Sequence, residues 1–142
     1  MAITLTTCKT QLALRLQDTG NLIYSASLLE EALRSSLSEI TSAYGAAQTL
    51  NGLDGETETT FDDVDLHTFL VGGEAYALRT RLIAKLDEAN PAREDLKDTA
   101  QAAQDKMTEF QALLSHIRLR RFQESTDHPY SQWEWDEGED FS

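Results

Sequence analysis

The chain has 142 residues, with 25 Asp or Glu against 12 Lys or Arg and a net charge of −13. That charge disfavours a nucleic-acid binder held by phosphate contacts, and equally a protein docked on an anionic membrane surface. No run approaches the ~20 apolar positions that span a bilayer, no charged-then-apolar leader is read at the start, and Cys8 is the only cysteine, so a soluble, intracellular-type single domain without a disulfide or cysteine zinc site is expected.

Cys8, Leu12 and Leu16 fall at i, i+4 and i+8 and predict a first helix over 7–18, ended by Gly20 and Asn21. Ser27 followed by Glu30 reads as a capping box that opens a second helix. That helix runs to about Tyr44, with Gly45 as its C′ residue and Leu33, Leu37, Ile40 and Tyr44 as its apolar stripe. From 46 to 61, Thr49, Thr57, Thr59 and Thr60 are β-branched, and Asn51-Gly52 and Asp54-Gly55 are turn dipeptides. An irregular loop or small hairpin is predicted there.

Asp62, Asp63 and Asp65 precede an apolar run, as acids do where they meet the positive end of a helix dipole. A third helix is expected from about Asp63 to Glu88. Gly72-Gly73 interrupts it at a cost of about 1 kcal/mol per Gly relative to Ala, which asks for close approach of another backbone or for a bend. Asn90-Pro91 stops that helix and restarts the next. Leu96, Ala100, Ala103, Met107, Phe110, Leu114 and Ile117 then form a heptad-type seam on a long fourth helix ending near Phe122. The fold class is therefore all-α: about four helices bundled over residues 1–122, with 123–142 as an extended acidic, aromatic tail that is disordered when alone.

The acidity is uneven. Residues 46–73 carry Asp54, Glu56, Glu58, Asp62, Asp63 and Asp65 and no base; residues 122–142 carry Glu124, Asp127, Glu134, Asp136, Glu137, Glu139 and Asp140, again with none. These carboxylates equal the whole net charge, so the remainder is neutral. Function is expected to concentrate in the two acidic segments, although solubility alone also accounts for them.

No Gly-rich phosphate loop, nucleophile elbow or HExxH is present, so a non-enzyme without cofactor or metal is expected. His67, His116 and His128 are dispersed. Asp62-Asp63-x-Asp65 lacks the spacing of a cation loop, and helix charging explains it better. Cys8 reads as a small core residue. Arg118, Arg120 and Arg121 complement a negative helix end, or alternatively form a salt-bridge surface for an acidic partner or neighbouring subunit. In the tail, Tyr130, Trp133, Trp135 and Phe141 stand among acids. Such aromatics read as anchors on another surface, where a buried Trp contributes about 2 kcal/mol or more.

The stretches TLTTCKTQLALRLQDTGN, ASLLEEALRSSLSEITSAYG, TLNGLDGETETTF and LVGGEAYALRTRL give a pattern that, over residues 4–122, resembles the head-to-tail connector (adaptor) proteins of tailed bacteriophages. The resemblance implies a ring of about a dozen copies in the virion neck, assembled in the host cytoplasm. Its implied partners are the portal protein and a tail-side neck or stopper protein, with no membrane. DNA would pass through the channel without sequence-specific binding. Asp54, Glu56, Glu58 and Asp62 are then candidates to face that channel, where like charge repels phosphate and lowers friction. The alternative is an acidic DNA mimic that inhibits a nucleic-acid-binding protein. It accounts for the charge but not for the neutral scaffold or the tail tryptophans.

Overall fold

The structure, a computed structural model, describes residues 3–87 and 93–124. Four helices make up the architecture: α1 (Leu5–Arg15), α2 (Ala26–Tyr44), α3 (Leu66–Leu86) and α4 (Arg93–Glu124), with a short 3-10 turn, Asp63–Asp65, leading into α3. The described residues contain no strand; a lone parallel bridge joins Thr4 to Asn51.

Local chemistry moves two helix starts away from the expected positions. α1 begins earlier than position 7 because Thr4 caps it. The Thr4 hydroxyl accepts from the Thr7 amide (3.2 Å) while the Thr7 hydroxyl accepts from the Thr4 amide (3.0 Å). It also ends earlier, before Gly20. Gln17 takes the left-handed conformation (φ 57), its amide donates to Leu14 O (3.1 Å), and the Asp18 amide donates to Ala13 O (2.9 Å). That is a Schellman closure made without glycine. For α2 the cap is Ser25, whose hydroxyl accepts from the Leu28 amide (3.2 Å), so the expected Ser27 box is not used. Gly45 closes α2 as expected, at φ 75.

The core lies where α3 is crossed by the other three helices. Leu12 of α1, Leu29, Leu33 and Ile40 of α2, Phe69, Leu70 and Val71 of α3, and Phe110, Leu114 and Ile117 of α4 are all buried. α3 runs antiparallel to both α2 and α4: Tyr44 and Arg120 meet Asp65 at one end, and Lys85 meets Thr99 and Asp95 at the other. The expected α4 seam holds, since Ala103, Phe110, Leu114 and Ile117 are buried and Ala100 and Met107 are partly so.

Gly72-Gly73 leaves α3 unbroken. A Cβ on Gly72 would lie 2.2 Å from Ser36 Oγ and 2.6 Å from the Phe110 ring, and one on Gly73 would lie 3.1 Å from Leu12 and from Leu33. The pair therefore admits side chains of α1, α2 and α4 against the α3 backbone. Ser36 Oγ uses this closeness to donate to Phe69 O at 2.7 Å. The glycines serve packing.

The segment between α2 and α3 is irregular, as expected, but it is pinned. Leu50, Leu53 and Phe61 are buried, and Phe61 packs on Phe69 with ring centroids 5.0 Å apart. Glycines stand where φ is positive, Gly52 at 97 and Gly55 at 81, with Asp54 at 53. Asn90-Pro91 and the tail from 125 onward lie outside the described residues.

Candidate functional site

Two surfaces stand out, both built by the ends of helices. The first joins the end of α2, the start of α3 and the end of α4. Asp65, 2% exposed, accepts from the Arg120 guanidinium through both oxygens, at 3.0 and 2.7 Å. The Tyr44 hydroxyl donates to the same carboxylate and accepts from the Asp62 amide at 3.0 Å. Arg121 stacks over the Tyr44 ring, 4.3 Å from its centroid. Burial and the bond to Asp65 push the Tyr44 phenol up to about 12. The Arg120 guanidinium is raised as well, first by its bond to Asp65.

These contacts revise the reading of two sequence features. Asp65 stands at the start of α3, as expected, but it is also a buried ion-pair member. Arg120 and Arg121, expected as partner-binding candidates, are engaged within the chain; Arg118 is exposed and has no ion pair among the described residues. The pair spans fifty-five positions of sequence, so no local pattern announces it.

Of the channel candidates, Glu56, Glu58, Asp54 and Asp62 are all exposed. Asp54 is held in place by Arg34 of α2, with contacts of 2.7 and 3.2 Å. Those bonds keep the Asp54 carboxyl below its usual range and raise the Arg34 guanidinium, which also meets Glu31. Glu56 and Glu58 make no ion pair among the described residues. The result is a fixed acidic turn standing on a hydrophobic base of Leu50, Leu53 and Phe61.

The second surface is the α1–α2 connection. Asp18, 7% exposed, gathers three backbone amides: Leu22 (2.9 Å), Ile23 (2.9 Å) and Tyr24 (2.7 Å). These bonds, that from Tyr24 foremost, hold its carboxyl below the usual range. The connection thus has a set shape, and it leaves Leu22 91% exposed.

Chemistry of bond making finds little here. The Cys8 thiol is buried and pushed up to about 11 by desolvation, which removes it as a nucleophile near neutral pH. His67 is exposed beside Arg15 (3.2 Å to Nδ1), and His116 is exposed. No cluster of three metal-ligating side chains occurs among the described residues, and no helix there is long and apolar enough to cross a membrane. Tyr130, Trp133, Trp135, Phe141 and His128 lie outside them. Ion pairs that the sequence reading missed are Glu74–Lys106 (3.2 Å) and Lys85–Asp95, in which Glu74 and Lys85 are buried and their partners exposed or half-exposed; each joins α3 to α4. Comparison with family models, with curated proteins and with solved structures finds no match for this chain.

Proposed function

We propose that the chain is a structural subunit of a phage neck: a connector that forms a ring beneath the portal and continues the DNA channel toward the tail. The observation that carries the reading is the acidic turn at 54–58, exposed and standing on a buried apolar base, in a chain whose charge balances outside 46–73 and 122–142. A channel wall must hold its charge in place and offer phosphate nothing to bind. Carboxylates carried on a pinned turn, with the neighbouring Arg34 already paired, meet that need, because like charge repels the backbone of DNA. The sequence pattern over 4–122 supports the same reading. The role is architectural, with no cofactor and no catalytic step.

In this reading the tail, with Trp133 and Trp135, anchors the subunit to the portal during assembly. Purified protein mixed with portal is expected to give rings or portal-bound stacks in negative-stain images and by native mass. Deleting 129–142 is expected to leave the helical bundle folded while abolishing stable attachment. A chain that stays monomeric with portal, and instead binds a basic nuclease, would replace this reading with the DNA mimic.

A further inference from the structure

The α1–α2 surface has no part in the ring reading, yet it is built like a receptor. An open cleft of about 280 Å³ lies there, lined by Ala13, Leu14, Ala26 and Leu29, with Lys9 and Thr10. Leu14 is 58% exposed, and the Asp18-organised connection beside it holds Leu22 and Ile23 out to solvent at 91% and 52%. Three hydrogen bonds to one buried carboxylate fix that loop, so these side chains cannot simply turn inward. α1 is also the one described helix with bases and no acid: it carries Lys9 and Arg15. Lys9 has no ion pair among the described residues. An apolar cleft with an unmatched cation fits an acidic segment that bears a large apolar side chain.

The chain itself contains such a segment. Residues 125–142 carry Asp127, Glu134, Asp136, Glu137, Glu139 and Asp140 without a single Lys or Arg, and both tryptophans of the protein. We propose that this segment docks on its own subunit, with Trp133 or Trp135 seated in the α1–α2 cleft and a flanking carboxylate facing Lys9, which lines it. Reach permits it. The nine residues from Glu124 to Trp133 extend to about 30 Å, which matches the ~28 Å length of α2. Trp133 and Trp135 stand at i and i+2, a spacing that puts both indoles on one side of any extended stretch. Tethering supplies an effective concentration in the millimolar range, so even a weak contact is occupied. The inference concerns the free subunit and does not rest on the ring reading; during assembly the same residues would leave the cleft for the portal.

Because both tryptophans lie in this segment, the indole emission of the full chain reports on the tail alone. It is expected to be blue-shifted, and less quenched by acrylamide, than that of a synthetic 125–142 peptide. Leu14→Glu and Thr10→Glu, at exposed positions, should return both readings to the peptide values with far-UV circular dichroism unchanged. Lys9→Glu should move them in the same direction, and added salt should weaken the wild-type shift. Trp133→Phe and Trp135→Phe identify the seated ring. If the full chain already emits and quenches like the peptide, or if the cleft variants leave the blue shift in place, the proposal is wrong. A shift that appears only as protein concentration rises would move the site to a second copy and overturn docking within one subunit.

Discussion

A carboxylate buried as deeply as Asp65 is tolerable only while its partners remain. Arg120 supplies the charge and Tyr44 a further donor, so removing either leaves desolvated oxygens behind. Arg120→Met is expected to lower unfolding stability by about 3 kcal/mol, and Tyr44→Phe by about 1–2 kcal/mol, read from urea midpoints. The alkaline limit follows from the same cluster. The Tyr44 phenol is raised from 10.0 to about 12 in the folded chain. A raised folded value means its stabilisation is complete below pH 10 and is lost as pH climbs from 10 toward 12. Stability should therefore fall across that window, and less steeply in Tyr44→Phe. At the acid side the sign reverses. Asp18 is lowered from 3.8, so its contribution holds above that pH and fades as the pH drops below it. Acid titration followed by amide exchange should open the amides of Leu22, Ile23 and Tyr24 before those of the helix core.

Among the elements, α3 sets the geometry, because every other helix packs on it within two turns of Gly72. The two glycines are not equivalent. Gly72→Ala gains up to about 1 kcal/mol of helix propensity. It also places a methyl 2.2 Å from Ser36 Oγ and 2.6 Å from Phe110, atoms fixed by their own packing. A net loss of about 1–3 kcal/mol is expected. Gly73→Ala meets only the leucine methyls of Leu12 and Leu33, at 3.1 Å and beyond, which can yield by a few tenths of an ångström. It should be close to neutral. On α4, Leu114→Ala removes a fully buried side chain and is expected to cost about 2–5 kcal/mol. Leu119→Ala, at 55% exposure, should stay within about 0.5 kcal/mol. Thermal or urea unfolding of the four variants checks the set.

For the molecule as a whole, the structure alters how the acidic loop should behave. A polar, turn-rich segment suggests mobility in the free subunit, but Leu50, Leu53 and Phe61 anchor this one. Gly52 donates to Glu56 O (2.8 Å), and Glu56 donates to Leu53 O (3.0 Å). Hydrogen exchange on the isolated protein should find the amides of Gly52, Leu53 and Glu56 protected, with faster exchange confined to the tip. Uniform fast exchange from 46 to 61 would show that the apolar base does not hold.

The helices, their rough limits and the apolar faces of α2 and α4 were legible in the sequence, because a stripe such as Leu33, Leu37, Ile40 and Tyr44 is a local, periodic signal. So was the irregular segment at 46–61, through its turn dipeptides. Legible too were its acids: Asp54, Glu56, Glu58 and Asp62 are exposed, though sequence could not say that Asp54 is clamped by Arg34 or that Leu53 lies beneath it. The cap was misplaced: the Ser27/Glu30 spacing pointed to Ser27, whereas Ser25 caps α2 by accepting from the Leu28 amide. Only the folded chain decided the roles of Asp65, Arg120 and Gly72. Each is defined by a partner more than thirty residues away, and neither charge runs nor helical periods carry information over that distance. The sequence by itself determined which stretches coil and where charge accumulates; tertiary structure decided which charges are neutralised inside and which stay exposed, because ion pairing depends on contacts between distant residues.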